Sequence, residues 1–244
     1  MNVSGLIVRG RRLLIGHVSA TRRKRWRRTV RRARWGNLRR LQPLSGRFGF
    51  DRGTPIDRHH TDLFMAANAD AIRGVVGEIA EDTYASRVGG TGPQRIEIID
   101  IDPANTRATI VADLAQEGAL AAGGFDCLII TQTLQYVSDP EAALGTCAAA
   151  LRPGGVLLLA VPALTPHDDI EPHDIDRWRF WPAGLRQLLH ATFPEADVRV
   201  HSAGNLTTAL AFLHGMAAEE LRPAELDHVD PRFPVVVLAR VDRG

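Results

Sequence analysis

The chain has 244 residues, of which 45% are hydrophobic and 24% charged, a length that suits one sizeable α/β domain with appendages. Its two cysteines, Cys127 and Cys147, show no CxxC or metal-ligand spacing, so neither a disulfide framework nor a zinc site is indicated. No run of about 18 apolar residues occurs and the arginine-interrupted start matches a signal peptide poorly, so we expect no membrane span and a cytoplasmic protein.

The net charge of +2 is the sum of a basic N-terminal segment and an acidic remainder. Residues 1–50 hold 15 of the 30 Lys and Arg residues and no Asp or Glu. The densest part, TRRKRWRRTVRRARW, is suited to bind nucleic acid, anionic lipid or an acidic protein face. Three explanations without a partner compete and together are favoured: a solvated tail, an arm folded on the acidic body, or a start upstream of the true domain. We therefore define residues 1–47 as a basic extension, partly disordered or helical, with an anionic partner left open.

The stretch LQPLSGRFGF ends the extension, and DRGTPIDRHH continues as loop. From Thr61 the apolar spacing in TDLFMAANADAIRG predicts a helix capped by Thr61 or Asp62. Residues 48–72 are thus predicted to be a loop and helix that cover the site.

Short apolar runs follow, typical of strands buried on both faces of a parallel sheet: GVVGEIA, RIEIIDID, ATIVADL, FDCLIITQTL and GGVLLLAVP. Before the last of these, DPEAALGTCAAALRPGG predicts a helix that starts near Asp139 or Pro140 and closes at residues 153–155. A long polar loop at residues 163–182 precedes a helix in AGLRQLLHATF, a strand in ADVRVHSAG, a helix over NLTTALAFLHGMAAEEL and a strand in RFPVVVLARV. The pattern predicts a doubly wound α/β fold.

Two segments resemble the fourth and fifth strand regions of class I S-adenosylmethionine-dependent methyltransferases of the methyltransferase-11-like group. These segments are FDCLIITQTLQYVSDPEAAL, with Phe125-Asp126 and Asp139-Pro140, and LRPGGVLLLAVP, which begins at Leu151. The resemblance implies a methyltransferase domain at residues 73–244, with a mostly parallel seven-stranded sheet and a final antiparallel strand. It also implies S-adenosylmethionine (SAM) as cofactor and S-adenosylhomocysteine (SAH) as product.

The stretch GVVGEIAEDTY at residues 74–84 takes the place of the family's first motif, in which glycines follow an acid. Glu78 matches the acid, but Ala80, Asp82 and Tyr84 stand where glycines are expected. Glycine allows a positive φ and close approach of the backbone to a ligand. Either the turn takes another path and Glu78, Ala80 and Asp82 still hold the cofactor, or the site is dead. SAM carries no pyrophosphate, so we favour retained binding.

The resemblance also assigns cofactor contacts at the ends of later strands. Asp100 matches the acid whose carboxylate accepts hydrogen bonds from the two ribose hydroxyls, and Asp102, two residues on, is the alternative if the register differs. Asp113 matches the acid that meets the adenine amino group, and Leu114 is predicted to cover the ring. Thr131 and Gln132, which end the fourth strand, are expected to face the cofactor.

Methyl transfer requires a nucleophile held about 3 Å from the methyl group, and a hydroxyl must also lose its proton. Relatives often have a histidine where Tyr136 stands, and tyrosine is a poor base at its ordinary pKa near 10. The long loop offers His167 and His173, whose proton affinity suits neutral pH. His167, His173 and Tyr136 are therefore the predicted catalytic residues.

The loop sequence HDDIEPHD also clusters carboxylates and imidazoles as a divalent cation site does, but its spacing is no known ligand signature and a metal is not favoured. Trp178 and Arg179 are expected to line an acceptor pocket, whereas Phe180 is expected to pack in the core.

These features predict methyl transfer to a small-molecule or glycan-like acceptor, with O-methylation preferred, in a protein whose arginine and alanine usage suggests a bacterial source. Two alternatives stay open: a non-catalytic methyltransferase-like regulatory or scaffolding protein, and a binder of nucleic acid or membrane surfaces through its basic arm. The oligomeric state is not indicated.

Overall fold

The computed structural model describes Arg22, residues 36–168 and residues 175–244. The chain divides into two units, residues 1–41 and residues 42–244. In the first unit, Gly36–Leu38 forms a short 3-10 helix, and the prediction for most of the basic extension lies outside the described residues. The sheet and the cavities discussed below belong to the second unit.

The second unit alternates strands with helices. Its strands are β1 Gly74–Ile79, β2 Pro93–Asp100, β3 Ile110–Val111, β4 Phe125–Thr131, β5 Leu151–Pro162, β6 Asp197–Ala203 and β7 Val236–Asp242. Its α-helices are α1 Ile56–Ala67, α2 Thr83–Arg87, α3 Pro140–Ala150, α4 Pro182–Thr192, α5 Leu206–Leu213 and α6 Pro223–Asp227. None of the described helices is long and apolar enough to cross a membrane.

The strands form one sheet in the order β3-β2-β1-β4-β5-β7-β6. Neighbouring strands are parallel except at β7, which runs antiparallel to both β5 and β6. The predicted seven-stranded, mostly parallel sheet with a final antiparallel strand is therefore confirmed. The strand order reverses between β1 and β4, which places a crevice at their carboxyl ends.

The core lies on both faces of the sheet because successive side chains of a strand point to opposite sides. In β4, Leu128 and Ile130 join the cluster that contains α3 and α4. Cys127 and Ile129 join the opposite cluster, which contains α1 and α2. Both cysteines are buried free thiols.

The helix before the sheet begins earlier than predicted. We expected α1 to begin at Thr61 with Thr61 or Asp62 as its cap, but it begins at Ile56 and Pro55 precedes it with φ −54°. The fixed φ of proline suits a helix start, and Ile56 anchors the first turn because it is fully buried. The Thr61 hydroxyl instead donates to the Asp57 carbonyl one turn back.

Two other boundaries also differ. Helix α3 starts as predicted, with the Asp139 carboxylate accepting from the next backbone amides, but it ends at Ala150 and β5 already begins at Leu151. The long helix expected over residues 205–221 stops at Leu213, because Gly215 takes φ 69° and lies against the Ser45 backbone. A separate 3-10 helix, Ala218–Glu220, follows.

Candidate active site

A cleft of about 710 Å³ opens at the carboxyl ends of β1, β2 and β4. The strand order reverses at this point, where doubly wound sheets bind their ligands. The lining includes these residues singled out from the sequence: Ala80, Asp100, Asp113, Leu114, Thr131, Gln132 and Tyr136. The structure thus brings residues from four separate segments to one cavity.

The turn after β1 keeps a left-handed residue although its glycine is missing. Ala80 has φ 64°, a conformation that costs an L-residue about 1–2 kcal/mol. Its backbone N–H donates to the Ile99 carbonyl at 2.8 Å, which ties the turn to β2. Alanine therefore takes the backbone conformation that favours glycine, and the turn still lines the cleft.

Glu78 is buried behind this turn and is not among the described residues that line the cleft. Its carboxylate accepts hydrogen bonds from the backbone N–H groups of Tyr84, at 3.0 Å, and Ala85, at 2.7 Å. Burial raises the pKa of Glu78 to about 7, although these backbone donors oppose the shift. The carboxylate therefore holds the start of α2.

The other two non-glycine residues of the turn also have protein partners. Asp82 accepts the Ser86 hydroxyl at 2.7 Å and pairs with Arg107, so its carboxylate is directed along the surface. Tyr84 is almost completely buried, and its hydroxyl donates to Asp62 Oδ1 at 2.9 Å. Neither residue is among the described residues that line the cleft.

Asp100 stands at the end of β2 on the cleft wall. Its Oδ1 accepts the backbone N–H of Asp102 at 3.0 Å, and its Oδ2 accepts Asn105 Nδ2 at 2.7 Å. Asn105 Nδ2 also donates to the Ala80 carbonyl at 3.0 Å. One amide therefore fixes the Asp100 carboxylate relative to the turn after β1.

The loop after β3 supplies Asp113 and Leu114 to the same cleft. The Asp113 Oδ1 atom accepts the backbone N–H of Ala115 at 2.9 Å, which fixes the local turn. Leu114 is 5% exposed and gives the cleft an apolar surface beside Ile99 and Ile101.

At the end of β4, Gln132 holds a strained position between two cavities. Its φ is 46°, and its backbone N–H donates to the Ala160 carbonyl at 2.9 Å. Non-glycine residues in this region cluster at functional sites because the surrounding structure must hold them there. Its side chain lines the cleft and also a second cavity.

The second cavity, which we call the side chamber, has a volume of about 230 Å³ and shares Arg58, Gln132 and Tyr136 with the cleft. Its other described lining residues are Arg47, Phe48, Phe50, Asp57, Gln135, Pro162, Thr165, Pro166, Asp168, Asp176 and Arg179. The chamber therefore combines aromatic rings with charges of both signs next to the cleft.

A family model described as the methyltransferase domain matches residues 77–210, more than half of the chain. The chain belongs to this family. With the strand order above, it is a class I SAM-dependent methyltransferase.

Part of the methyltransferase is similar to a curated protein. The ubiquinone biosynthesis O-methyltransferase of Xanthomonas axonopodis pv. citri (strain 306) is 42% identical over 60 residues. That match covers 25% of this chain and 24% of the relative, so the two correspond over about a quarter of their lengths.

Solved structures share the fold at low identity. The SAM-dependent methyltransferase from Mesorhizobium loti is 16% identical with a TM-score of 0.50, over 75% of this chain and 98% of that one. The plantazolicin methyltransferase BamL, in complex with a triazolic desmethylPZN analog and SAH, is 12% identical with a TM-score of 0.51, over 81% and 88%. At these identities the likeness shows the fold alone.

Tyr136 lies on the wall between the methyltransferase's two cavities. Its hydroxyl donates to Asp168 Oδ2 at 2.7 Å. Burial and the adjacent Asp168 carboxylate raise the pKa of Tyr136 above its ordinary value. Tyr136 is therefore suited to donate a hydrogen bond rather than to remove a proton.

The structure describes one of the two predicted histidines, His167. His167 has a side chain 57% exposed, and its Nδ1 lies 3.3 Å from Asp176 Oδ2. It is not among the described residues that line either cavity. His173 lies outside the described residues, as do the other residues at 169–174. Within the described part, no group of three or more His, Cys, Asp or Glu residues is placed to hold a metal ion.

The aromatic segment after this loop divides between surface, chamber and core. Trp178 is 41% exposed, and its Nε1–H donates to the Val137 carbonyl at 2.9 Å. Arg179 lines the side chamber and pairs with Asp176. Phe180 is buried in the core, as expected.

Sequence reasoning missed two polar residues of the chamber. Asp57 is half-buried in the first turn of α1, and its Oδ2 accepts Gln132 Nε2 at 3.2 Å. Gln135 is 4% exposed, and its Oε1 atom is buried without a hydrogen-bond partner among the described residues. The TPID sequence at residues 54–57 could have indicated that Asp57 lies in the first turn of a helix, because a proline shortly before an acid is typical of a helix start.

Proposed function

We propose that this methyltransferase binds SAM in the cleft and O-methylates a small-molecule or glycan-like acceptor held in the side chamber. One observation carries the proposal: Gln132 and Tyr136 line both cavities, so a ligand in each would meet at these side chains. Methyl transfer needs that adjacency, because donor and acceptor must approach to about 3 Å with water excluded.

The residues of the cleft fit the proposed cofactor. The Asp100 carboxylate suits a ribose diol, since an anion that accepts two hydroxyl hydrogens makes strong hydrogen bonds. Asp113 suits an exocyclic amino group, and Leu114 offers apolar surface to a flat ring. When bound, SAM supplies an electrophilic methyl group on a positively charged sulfur. Ala80, Thr131 and Gln132 would form the wall next to its methionine part.

The lining residues of the side chamber are suited to bind a small acceptor. Phe48 and Phe50 offer faces that stack on aromatic rings or on sugar C–H surfaces. Arg47 and Arg58 supply positive charge for an acidic substituent. The partial similarity to an O-methyltransferase supports oxygen as the methylated atom.

Calorimetric titration with SAH and SAM tests cofactor binding. We expect micromolar dissociation constants, equivalent to roughly −8 kcal/mol. Asp100→Ala should weaken both ligands by at least about tenfold, because it removes a charged acceptor from the wall and releases Asn105. Asp102→Ala is the matched control, since Asp102 is exposed and is not among the described lining residues. It should bind like the native protein.

No binding of either ligand at millimolar concentration would contradict this function and favour the non-catalytic alternative. Equal losses in Asp100→Ala and Asp102→Ala would show that the loop, rather than the Asp100 carboxylate, matters. Once binding is established, incubation with SAM and a panel of phenols, catechols and monosaccharides identifies the acceptor class through the SAH released.

A further inference from the structure

We propose that Asp57 is the general base of this methyltransferase and removes the proton of the acceptor hydroxyl in the side chamber. The inference rests on the proposed function, because it requires a methyl donor in the adjoining cleft. It assigns the proton-accepting role to a residue of α1 instead of to the histidines of the long loop.

The first support is the position of Asp57. Gln132 borders both cavities, and its Nε2 donates to Asp57 Oδ2 at 3.2 Å. Because the Gln132 backbone is fixed at the end of β4, this amide holds the carboxylate beside the boundary between the cavities. A base must stand at that boundary, since the proton leaves the oxygen that receives the methyl group.

The second support is the orientation of the Gln132 amide. Gln135 Nε2 donates to Gln132 Oε1 at 3.2 Å, which leaves Gln132 Nε2 to donate to Asp57. Backbone bonds fix Gln135 as well, because its carbonyl accepts the N–H of Arg177 at 2.8 Å. The Gln135 Oε1 atom itself is buried and has no partner among the described residues. Gln135 and Gln132 therefore hold a neutral donor, rather than a cation, against the Asp57 carboxylate.

The third support is that the other described carboxylates of the chamber, Asp168 and Asp176, already have strong partners. Asp168 accepts the Tyr136 hydroxyl, and Asp176 pairs with Arg179 through contacts of 2.5 and 2.7 Å. Among the described residues, the side-chain hydrogen-bond partner of Asp57 is, by contrast, the neutral amide of Gln132. A carboxylate bound by a neutral donor keeps more of its basicity than one paired with a guanidinium.

Burial and nearby charges determine the protonation state of the Asp57 carboxylate. Burial raises the pKa of Asp57 to about 6, against the opposing effects of backbone hydrogen bonding and of the Arg58 charge. The described charged and titratable groups that line the chamber with it are Arg47 from the loop before α1, Arg58, Tyr136 after β4, and Asp168, Asp176 and Arg179 after β5. At neutral pH the carboxylate is mostly ionised yet retains enough basicity to accept a proton.

The atoms, electron pairs and charges of the proposed step balance. The acceptor oxygen uses a lone pair to bond the methyl carbon, and the carbon–sulfur bond breaks with its electron pair left on sulfur. The hydroxyl proton passes to a carboxylate oxygen of Asp57. The products are the methyl ether, neutral SAH and a protonated Asp57, which returns its proton to solvent.

The test needs no identified acceptor. SAM carries a positive sulfonium that SAH lacks, so a carboxylate next to the reacting centre is ionised more readily when SAM is bound. The ratio of SAM affinity to SAH affinity should therefore rise on the order of tenfold between pH 5 and pH 7. In the same range, SAM binding should release protons and SAH binding should not, which calorimetry in two buffers of different ionisation enthalpy measures.

Asp57→Asn should make the affinity ratio independent of pH and abolish the difference in proton release. SAH binding by this variant at pH 8 should match the native protein, which verifies its fold and its cleft. Asp168→Asn is the matched control, because it removes another carboxylate of the same chamber and should keep the pH dependence.

A native affinity ratio that does not change with pH would overturn the inference, as would an unchanged dependence in Asp57→Asn. Either result would leave the proposed function standing, since both ligands would still bind. Absence of SAM and SAH binding would instead remove the proposed function itself. If Asp57→Asn fails to fold, Asp57→Ala, which also removes the carboxylate, takes its place in both measurements.

Discussion

The turn after β1 and the side chamber differ in how their polar groups are hydrogen-bonded. In the turn, Glu78 accepts the backbone hydrogens at the start of α2, and Asp82 and Tyr84 bond to neighbouring side chains. In the chamber, the buried Gln135 Oε1 has no hydrogen-bond partner among the described residues, and the Asp57 carboxylate accepts from the neutral amide of Gln132. The polar groups of the turn are satisfied by the protein itself, whereas the described part of the chamber retains an acceptor without a partner.

This difference bears on what the loss of the glycine motif after β1 means for the site. The non-glycine residues of the turn stabilise the local structure and leave the cleft open. A buried acceptor without a partner, in contrast, calls for a functional explanation. The comparison therefore predicts that substitutions in the turn mainly change stability, and that substitutions in the chamber mainly change ligand chemistry.

The largest effect should come from placing a glycine at Tyr84. Tyr84 is 1% exposed, it packs in the cluster below α1 and α2, and its hydroxyl bonds to Asp62. Removing a buried aromatic ring costs about 3–5 kcal/mol, and the hydrogen bond is lost as well. We expect Tyr84→Gly to lower the free energy of unfolding by roughly 4 kcal/mol in urea titration.

Tyr84→Phe is the control, because it keeps the ring and removes only the hydroxyl; it should cost about 1 kcal/mol. If Tyr84→Gly kept native stability and bound SAH more tightly, tyrosine would be an obstruction in the turn instead of a core residue, and the comparison would fail.

A smaller loss is expected from Glu78→Ala. The change leaves two backbone donors, those of Tyr84 and Ala85, without their acceptor in a buried place. Each unsatisfied donor costs about 1–3 kcal/mol, so a loss of roughly 2–3 kcal/mol is expected at pH 5, where the raised pKa keeps Glu78 protonated and its removal relieves no buried charge. Glu78→Gln retains an acceptor oxygen and should lose less than half as much. Equal losses in the two variants would mean that the acceptor oxygen of this side chain does not hold α2.

The sequence carried more information about the cleft than about the chamber. Asp100 and Gln132 could be placed together because both follow buried parallel strands, whose carboxyl ends meet at one edge of the sheet. Asp57 and Gln135 could not, because the link between them through Gln132 depends on α1 beginning at Ile56 and on how that helix packs over β5 and β7. Apolar spacing identifies the buried face of a helix but fixes its first residue poorly, and Thr61 was a plausible but wrong cap.

In the chamber, Asp57→Asn should stabilise the protein at neutral pH. The folded-state pKa of about 6 exceeds the ordinary 3.8, so the native state holds a proton that the unfolded chain releases between these values. Stability from this group is thus complete below pH 3.8 and is lost as the pH rises through 6. With allowance for partial exposure, we expect Asp57→Asn to be about 1–2 kcal/mol more stable than the native protein at pH 7.5.

Thermal unfolding of both proteins between pH 4 and pH 8 measures this difference, which should grow through pH 4–6 and then level off. An Asp57→Asn variant that is less stable at pH 7.5 would show that the carboxylate supports the fold. The chamber would then resemble the turn, and the contrast between them would disappear.

The smallest effect is expected from Ala80→Gly. Glycine relieves the left-handed strain of about 1–2 kcal/mol, but its freedom in the unfolded chain offsets about 0.5–1 kcal/mol of that gain. The free energy of unfolding should therefore rise by about 1 kcal/mol or less, and the SAH dissociation constant should change less than about twofold. Because the Ala80 backbone is already in the conformation that favours glycine, the missing glycine is a small cost to stability that leaves the cleft intact. A tenfold gain in SAH affinity would show instead that the alanine methyl group obstructs the ligand, and would make this turn a site of lost function.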